Sequence, residues 1–365
     1  MGFSGDSHAL KHRPPSAASD GLRVVAIGGG TGLSTLLKGL KEYVGPPSRN
    51  ESGKSPTPSI SDLCAIVTVS DDGGSSGRLR KELNMLPPGD IRNCIVALSE
   101  DEALLSKLFQ HRFVKGSGLE GHSFGNLFLA ALTSITRDFS EAVRLSSEIL
   151  VTRGHIHPAT TSNVELEALM EDGTRVRGET KITASKGRIK ELFLVPPDVE
   201  PLAQTLDAIA SADLITIGPG SLFTSLIPNL LVRGISKAIA SSPATKVYVC
   251  NLMTQANESL GRSAADHIRA LNGHAQARIF DYALLNQTPI SDQLKGKYAL
   301  EGATQVLVDQ EAIEELGVVP VLGNYLDERE VARHATDRIA RDLLELAMQA
   351  RSHERVATKS QHTSN

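Results

Sequence analysis

The sequence feature that most constrains the fold is a run of apolar, β-forming residues that ends in a glycine-rich turn. Residues 23–27 are mostly apolar, Gly28-Gly29-Gly30-Thr31-Gly32 follows, and apolar residues at helical spacing resume at Leu33. This order predicts a strand, a tight turn and a helix, and the unpaired amides that open such a helix can hold a phosphate. The dinucleotide spacing G-x-G-x-x-G is not met, since Leu33 stands where its last glycine would fall. A tight turn without a ligand is the alternative.

The composition argues against several function classes. The 365 residues carry a formal net charge of -4, no tryptophan and 4% aromatic residues, so neither a basic face nor a stacking platform for nucleic acid is expected. No apolar run approaches the roughly 20 residues that a membrane-spanning helix needs. The three cysteines stand far apart in apolar runs, which is typical of buried cysteines in a reducing compartment. We therefore expect a cytoplasmic protein that binds no nucleic acid and does not insert into membranes.

Strand and helix patterns alternate along most of the chain. They predict an α/β fold with a mostly parallel, Rossmann-like sheet and helices on both faces. An antiparallel hairpin is predicted around Glu171-Asp172-Gly173, and the last strand and the terminal helix are expected at 305–308 and 328–351. The predicted organisation is a disordered tail at 1–21, a single domain at 22–352 with a Pro-rich surface insertion at 45–60 and a hairpin excursion at 156–196, and a disordered tail at 353–365.

Two further predicted strands end in short polar loops. An apolar run at 63–69 leads into the loop 70–78, and another at 212–217 leads into the glycine-rich turn 218–225. Because ligands of open α/β sheets bind beyond the carboxyl ends of the strands, we expect both loops to lie beside the first one. Loop amides and hydroxyls could then satisfy a diphosphate whose charge is balanced by arginines. The side chains proposed for this are Thr31, Ser34, Ser221 and Thr224, with Arg78, Arg80 and Arg92 as the cations.

Two acidic residues, Asp71 and Asp72, directly follow the second of these strands. An acidic side chain at this position could bind a ribose hydroxyl, or the pair could hold Mg²⁺ against the phosphates. The alternatives are an Asp turn that caps Gly73, or ordinary surface charge. We take both aspartates as candidate ligand-binding, metal-binding and catalytic residues.

Two helix starts carry further candidates. Asp90 is predicted to cap a helix whose first turn presents Arg92 and Asn93 to the site. His122 opens another helix and is either a general acid–base group or a residue that binds the helix end or solvent. Ser123 matches the letters of a G-x-S-x-G elbow, but no buried strand leads into it, so we expect a helix cap rather than a nucleophile.

Five motifs occur together along the chain. They are Ile27-Gly28-Gly29-Gly30-Thr31-Gly32, Val69-Ser70-Asp71-Asp72-Gly73-Gly74-Ser75-Ser76-Gly77-Arg78, Pro88-Gly89-Asp90-Ile91-Arg92-Asn93, Gly121-His122-Ser123-Phe124-Gly125-Asn126 and Gly218-Pro219-Gly220-Ser221-Leu222-Phe223-Thr224-Ser225. In this order they resemble the YvcK-like gluconeogenesis factors, which are related to the 2-phospho-L-lactate transferases (CofD) of deazaflavin cofactor synthesis. The resemblance runs from residue 23 to residue 350.

The resemblance implies a Rossmann-like CofD fold and a cytoplasmic protein that binds UDP-sugars such as UDP-N-acetylglucosamine. It also implies a requirement for cell shape and wall synthesis during growth on gluconeogenic carbon. Carried over by position, the family's nucleotide-sugar site includes Thr31, Tyr298 and Arg333. The last two could equally be a packed phenol and a surface cation. The full predicted ligand-binding set is Gly28, Gly29, Gly30, Thr31, Gly32, Ser34, Asp71, Asp72, Arg78, Arg92, Asn93, Asn126, Gly218, Gly220, Ser221, Thr224, Asn251, Tyr298 and Arg333.

Two hypotheses of different classes follow. The first is a non-catalytic UDP-sugar sensor that acts through a wall-synthesis or regulatory protein. The second is a transferase that passes a phosphoryl-linked group from a nucleotide donor to an acceptor, with Mg²⁺ on Asp71 and Asp72 and with His122 as a further catalytic candidate. The extension of the second loop through 73–78 departs from the transferases and argues against a deazaflavin acceptor pocket. The sequence does not decide whether the protein forms a homo-oligomer.

Overall fold

The computed structural model describes residues 21–45, 58–100, 104–185 and 187–362. The strands are β1 (Leu22–Gly28), β2 (Ile60–Val67), β3 (His155–Pro158), β4 (Glu165–Met170), β5 (Arg175–Arg177), β6 (Ile189–Val195), β7 (Leu214–Ile217), β8 (Thr245–Val249), β9 (Tyr282–Asn286), β10 (Val319–Gly323), β11 (Leu326–Glu328) and β12 (Ala332–His334). The helices are α1 (Gly30–Lys41), α2 (Gly74–Leu83), α3 (Gly89–Leu98), α4 (Leu104–Gln110), α5 (Phe124–Thr136), α6 (Phe139–Ile149), α7 (Glu179–Ala184), α8 (Ala203–Ser211), α9 (Ile227–Leu230), α10 (Ile235–Ser241), α11 (Ala264–Ala275), α12 (Asp292–Ala299), α13 (Gln310–Glu315) and α14 (Thr336–His362), with a π-helical turn at Leu222–Leu226 before α9.

The main sheet has seven strands in the order β10-β9-β8-β7-β1-β2-β3, and every neighbouring pair is parallel. The chain builds outward from β1 in one direction through β2 and β3, and later in the other direction through β7 to β10. β1 and β7 therefore flank the topological switch point, beyond which ligands bind in sheets of this type. The predicted fold class is confirmed: a mostly parallel sheet with helices, accompanied by a small antiparallel sheet.

The central strands are apolar because they are covered on both faces. Residues 24–27 of β1 and all four residues of β7 are buried, as expected for parallel strands beneath helices. The helix α1 packs against both α3 and α14, and its leucines at 33, 36, 37 and 40 are almost fully buried. This packing fixes the start of α1, and with it the glycine turn, at the carboxyl edge of the sheet.

The antiparallel sheet has the order β5-β4-β6, and the predicted hairpin turn joins β4 to β5. Gly173 has a φ of +85°, which glycine adopts without steric strain. The second arm of the hairpin is only three residues long, because the chain turns at Gly178 into the helix α7. The first residues of the predicted hairpin excursion are not part of the antiparallel sheet. They belong to β3, which is the edge strand of the main sheet.

Several predicted elements near the C-terminus are wrong. Residues 305–308 form no strand, because β10 takes the free edge of β9, and they contribute only a bridge between Met253 and Gln305. The terminal helix begins at Thr336, because residues 326–334 pair as an antiparallel ribbon of β11 and β12. The helix continues to His362, so most of the predicted C-terminal tail is helical. Residues 1–20 of the N-terminal tail, 46–57 of the insertion and 363–365 lie outside the described residues.

Two local predictions near the site also need correction. The loop after β2 is shorter than 70–78, because α2 begins at Gly74. A glycine at 77 is required there, since a Cβ at that position would overlap the carbonyl oxygen of Asp72. Asp90 is not a helix cap: Pro88 holds the N-cap position of α3, and Asp90 lies in the first turn. Among the described residues, no helix is long and apolar enough to cross a membrane.

Candidate functional site

The loops after β1 and β7 touch each other at the switch point. A Cβ added to Gly32 would lie 2.7 Å from the carbonyl carbon of Pro219 and 2.9 Å from the Cα of Gly220. These distances are shorter than real Cβ contacts, so only glycine permits this approach. Gly30 opens α1 with a φ of +61°, a conformation that also favours glycine. The glycines therefore hold two main-chain segments together at the amino end of a twelve-residue helix.

An open cleft of about 640 Å³ lies above this contact. Its floor is the two glycine loops, and its far wall is formed by α12 and the ribbon. The predicted residues that line it are Gly29, Gly30, Thr31, Gly32, Gly220, Ser221, Asn251 and Tyr298. The other predicted ligand-binding residues, which do not line it, are Gly28, Ser34, Asp71, Asp72, Arg78, Arg92, Asn93, Asn126, Gly218, Thr224 and Arg333.

Asn251 fixes the loop after β7 by bonding to both backbone polar groups of one residue, Gly220. Its Oδ1 accepts the backbone N–H of Gly220 at 3.0 Å, and its Nδ2 donates to the Gly220 carbonyl at 2.8 Å. A side-chain amide can supply this donor and acceptor together. Asn251 follows β8, so the strand next to β7 in the sheet positions the loop that follows β7.

Two of the predicted hydroxyls are already engaged within the fold. The Ser34 hydroxyl donates to the carbonyl of Thr31 at 3.0 Å, and the Thr224 hydroxyl donates to Glu258 at 2.5 Å. Glu258 also accepts the backbone N–H of Phe223 at 3.2 Å, so this buried carboxylate holds the π-helical turn. Thr31 and Ser221 stand at the cleft instead, where their hydroxyls make no hydrogen bond within the described part of the chain.

The far wall is tied together by Tyr298 and His334. The Tyr298 hydroxyl accepts the backbone N–H of Ala332 at 3.1 Å, which joins α12 to β12. The Nε2 of His334 lies 3.0 Å from the Cys250 carbonyl, and burial lowers the pKa of His334 to about 4. His334 is therefore neutral and donates this bond. Arg333 is exposed between two cleft-facing neighbours of the same strand, which places it on the opposite face of the ribbon. Its role in ligand binding stays a prediction.

A carboxylate lies beneath the first glycine loop. Asp90 accepts the backbone N–H of Gly30, and a Cβ on Gly29 would lie 2.9 Å from the Asp90 Oδ2. Burial and the neighbouring charge of Asp71 raise the pKa of the Asp90 carboxyl to about 7. Burial and the charges of Asp71 and Asp90 raise the pKa of Glu179 to about 9. Three acidic side chains thus lie close together near the turn where an anionic ligand is expected.

The aspartate pair predicted for Mg²⁺ has other partners. Asp71 forms the Asp turn, since its Oδ1 accepts the Gly73 N–H at 2.8 Å. The Oδ1 of Asp72 accepts both the N–H and the hydroxyl of Thr180, at 2.8 and 2.6 Å, and so anchors the start of α7. Among the described residues there is no group of three or more His, Cys, Asp and Glu arranged to hold a metal ion. Magnesium binding therefore stays a prediction.

A buried polar network joins α2, α3 and α5. Arg92 donates from Nη1 to Ser123 at 2.6 Å and to the Oδ1 of Asn126 at 2.8 Å, and from Nη2 to Asn93 at 2.8 Å. The predicted role of Ser123 as a helix cap is confirmed, since its hydroxyl accepts the Asn126 N–H. Arg92 is thus committed to the fold rather than free for a phosphate.

Sequence reasoning missed three residues that this architecture depends on. Ser75, in the second motif, lies 2.9 Å from the Nδ1 of His122. Thr180 holds the loop after β2 and Glu258 holds the loop after β7, and both residues come from segments that carry no motif. Only Ser75 had a usable signal, because it stands among the glycines and serines that follow β2.

The fold and the cleft define a Rossmann-like α/β protein with an open cleft at its switch point, between two glycine loops. The sequence profile of the 2-phospho-L-lactate transferase CofD family matches residues 24–326. The chain belongs to this family, in the group whose curated members are called gluconeogenesis factors.

Two curated relatives match this chain over almost their whole length. The gluconeogenesis factor of Halalkalibacterium halodurans is 50% identical over 323 residues, which cover 88% of this chain and 95% of the relative. That of Bacillus subtilis is 48% identical over 325 residues, which cover 89% of this chain and 98% of the relative. The crystal structure of a UPF0052 family member from Bacillus halodurans superposes with a TM-score of 0.83 at 48% identity, over 89% of this chain and 99% of that one.

Proposed function

We propose that the cleft binds a UDP-sugar, and that through this ligand the protein supports cell shape and wall synthesis in the cytoplasm during growth on gluconeogenic carbon. The observation that carries the proposal is the contact between the glycine loops. Main-chain segments that only glycine allows to meet lie at the N-terminus of α1, where unpaired amides and the helix dipole favour a phosphate group.

The dimensions of the cleft suit a nucleotide sugar. Its volume of about 640 Å³ lies within the usual range of ligand pockets, roughly 300–1,000 Å³. A diphosphate at the loops would leave the nucleoside and the sugar to extend toward Thr254, Gln255 and the far wall at Tyr298. The hydroxyls of Thr31 and Ser221, free of other partners in the described residues, would serve the phosphate oxygens.

The sensor hypothesis fits the construction of the far wall. The helix α12, the ribbon and the segment 252–253 share a small apolar cluster that is separate from the main core. A ligand that touches both the glycine loops and this wall would stabilise one position of α12, and so change the surface offered to a wall-synthesis or regulatory protein.

Isothermal titration against UDP-, GDP- and ADP-linked sugars, each with and without Mg²⁺, tests the proposal. We expect saturable binding of a UDP-sugar that persists in the presence of a chelator. Thr31→Ala should weaken it about tenfold, the effect of losing one hydrogen bond to a charged group. Thr133→Ala is a matched control, since that threonine bonds within α5 and does not line the cleft. Failure of every nucleotide sugar to bind would overturn the proposal.

A further inference from the structure

The most unusual side-chain pair outside the cleft is Ser75 with His122. The Ser75 Oγ lies 2.9 Å from the Nδ1 of His122, and the two residues are 4% and 3% exposed. Ser75 stands in the first turn of α2 but does not cap it, since Gly73 holds the N-cap position without a side-chain bond. The Ser75 hydroxyl is therefore not used as a helix cap.

The hydrogen-bond network determines where the Ser75 proton points. Arg92 can only donate, so the atom of Asn126 that it contacts is the carbonyl Oδ1, and Nδ2 faces Ser75 at 3.1 Å. Nδ2 can only donate as well, so Ser75 accepts that bond. In the described residues, His122 Nδ1 is the one remaining partner for the serine proton. Ser75 is thus held as a donor to the imidazole, the arrangement that activates a nucleophilic serine.

The protonation state of His122 agrees with a role as base. Burial and the positive charges of Arg78 and Arg112 lower the pKa of His122, while Glu82 acts in the opposite sense. The imidazole is therefore neutral at pH 7, and its Nδ1 lone pair can accept a proton. The same two arginines make the surroundings cationic, which suits an anionic substrate.

The helix that carries Ser75 packs against the segment that supports the first glycine loop. The Ser76 hydroxyl lies 2.5 Å from where a Cβ of Gly89 would stand, and the next residue, Asp90, is bonded to Gly30. Arg78, on the same helix as Ser75, donates to the Glu120 carbonyl at 2.6 Å, so its guanidinium lies beside the loop that leads to His122.

We propose that Ser75 and His122 form a catalytic nucleophile–base pair that acts on phosphoric anhydrides. Ser75 Oγ attacks phosphorus, an Oγ–P bond forms and the bridging P–O bond breaks. The serine proton passes to His122 Nδ1 and then to the oxygen of the departing phosphate. Water or an acceptor alcohol next attacks phosphorus of the phosphoserine and gives its proton to His122. The Oγ–P bond then breaks, and Ser75 Oγ takes the proton back from His122. The choice of phosphoric anhydrides as the substrate class rests on the proposed UDP-sugar binding. The assignment of Ser75 and His122 as a nucleophile–base pair does not.

The test uses an alkyl fluorophosphonate, a phosphorus electrophile that contains no nucleotide, on the full-length protein. Intact mass spectrometry and peptide mapping should find one adduct, at Ser75. Ser75→Ala should abolish labelling, and His122→Gln should slow it at least 100-fold, the lower end of what a general base contributes. Ser146→Ala is a matched control that should label at the wild-type rate, because that buried serine bonds only to a backbone carbonyl.

A second variant keeps the test informative if Ser75→Ala does not fold. In Ser75→Cys, the rate of alkylation by iodoacetamide against pH should report a thiolate well below the ordinary thiol pKa of about 8.5. Combining it with His122→Gln should return the profile to the ordinary value. Absence of a Ser75 adduct, or labelling that does not depend on His122, would overturn the proposal. UDP-sugar binding is measured separately, so its failure would affect only the assignment of the substrate.

Discussion

The carboxylate of Asp90 accepts the backbone N–H of Gly30, at the very turn where a phosphate is expected to bind. A negative charge in this position opposes an incoming diphosphate. The titratable and charged groups that face Asp90 are Asp71 from the loop after β2, Glu179 from α7, and Arg92 from its own helix, with the Cys94 thiol nearby. Burial and the charge of Asp71 favour the neutral form of Asp90 and Arg92 opposes it, so a proton on Asp90 relieves the conflict.

Binding of a UDP-sugar should therefore be coupled to proton uptake by Asp90. The free carboxyl has a pKa of about 7, and a bound diphosphate would raise it further. Affinity should then be nearly constant below pH 6 and fall about tenfold between pH 6 and pH 8, because above the free pKa the carboxyl must first take up a proton. Titration calorimetry at pH 7.5, in two buffers of different ionisation enthalpy, should measure the protons taken up.

Asp90→Asn is the matched variant for this coupling. Its amide oxygen still accepts the Gly30 N–H, but the residue does not titrate. We expect pH-independent affinity and no proton uptake, with tighter binding than wild type at pH 8. Asp207→Asn, at an exposed position on α8, should behave like wild type. If wild type and Asp90→Asn have the same pH profile, the coupling does not exist.

Asn251→Ala should weaken ligand binding indirectly, because the Asn251 side chain holds the loop after β7. The substitution removes the hydrogen bonds to the backbone N–H and to the carbonyl of Gly220, and so frees the loop after β7. We expect a loss of about 1–2 kcal/mol in the free energy of unfolding. Affinity for a UDP-sugar should fall by more than the tenfold expected for Thr31→Ala, since a whole loop loses its position. Urea unfolding and calorimetry on the same protein separate the two effects, and unchanged affinity would show that Asn251 is not a positioning residue.

The sequence was sufficient to predict the floor of the cleft. Apolar runs that pass directly into Gly28 and Gly218 mark strands that end at one edge of a sheet, and parallel strands bring such ends together. Thr31 and Ser221 line the cleft at this edge, and their role in ligand binding stays a prediction.

The partners of the remaining side chains could not be predicted. Asp72 is bonded to Thr180, 108 residues away, and Thr224 to Glu258, 34 residues away. Such pairings depend on where α7 and the segment after β8 pack, and local sequence carries no information about that. The wrong prediction for Asp90 has the same cause. Its local sequence pattern fits a helix cap, but in the fold its carboxylate accepts the backbone N–H of Gly30 in the glycine loop.

Gly77→Ala should destabilise the protein although alanine is the better helix former. A Cβ at this position would overlap the backbone carbonyl of Asp72, which is held in place through Thr180. We expect a loss of about 2–3 kcal/mol in the free energy of unfolding, as overpacking of a rigid site produces. Gly296→Ala in α12 is the control, because nothing lies within 4 Å of its Cβ position. That variant should gain about 0.5–1 kcal/mol from helix propensity. If wild type and Gly77→Ala have the same midpoint of unfolding in urea, the close approach between Gly77 and the Asp72 carbonyl is contradicted.

Tyr298→Phe should shorten the residence time of a UDP-sugar and lower the free energy of unfolding by about 1 kcal/mol. The hydroxyl joins α12 to β12 through the Ala332 N–H, whereas the apolar cluster beneath α12 does not depend on it. Without this bond α12 is held less firmly against β12, so we expect the dissociation rate to rise in stopped-flow measurements. Leu294→Ala removes packing from the same helix and should lower both affinity and Tm. If Tyr298→Phe releases ligand at the wild-type rate, the link between α12 and β12 does not retain the ligand, and the far wall is only a boundary of the cleft.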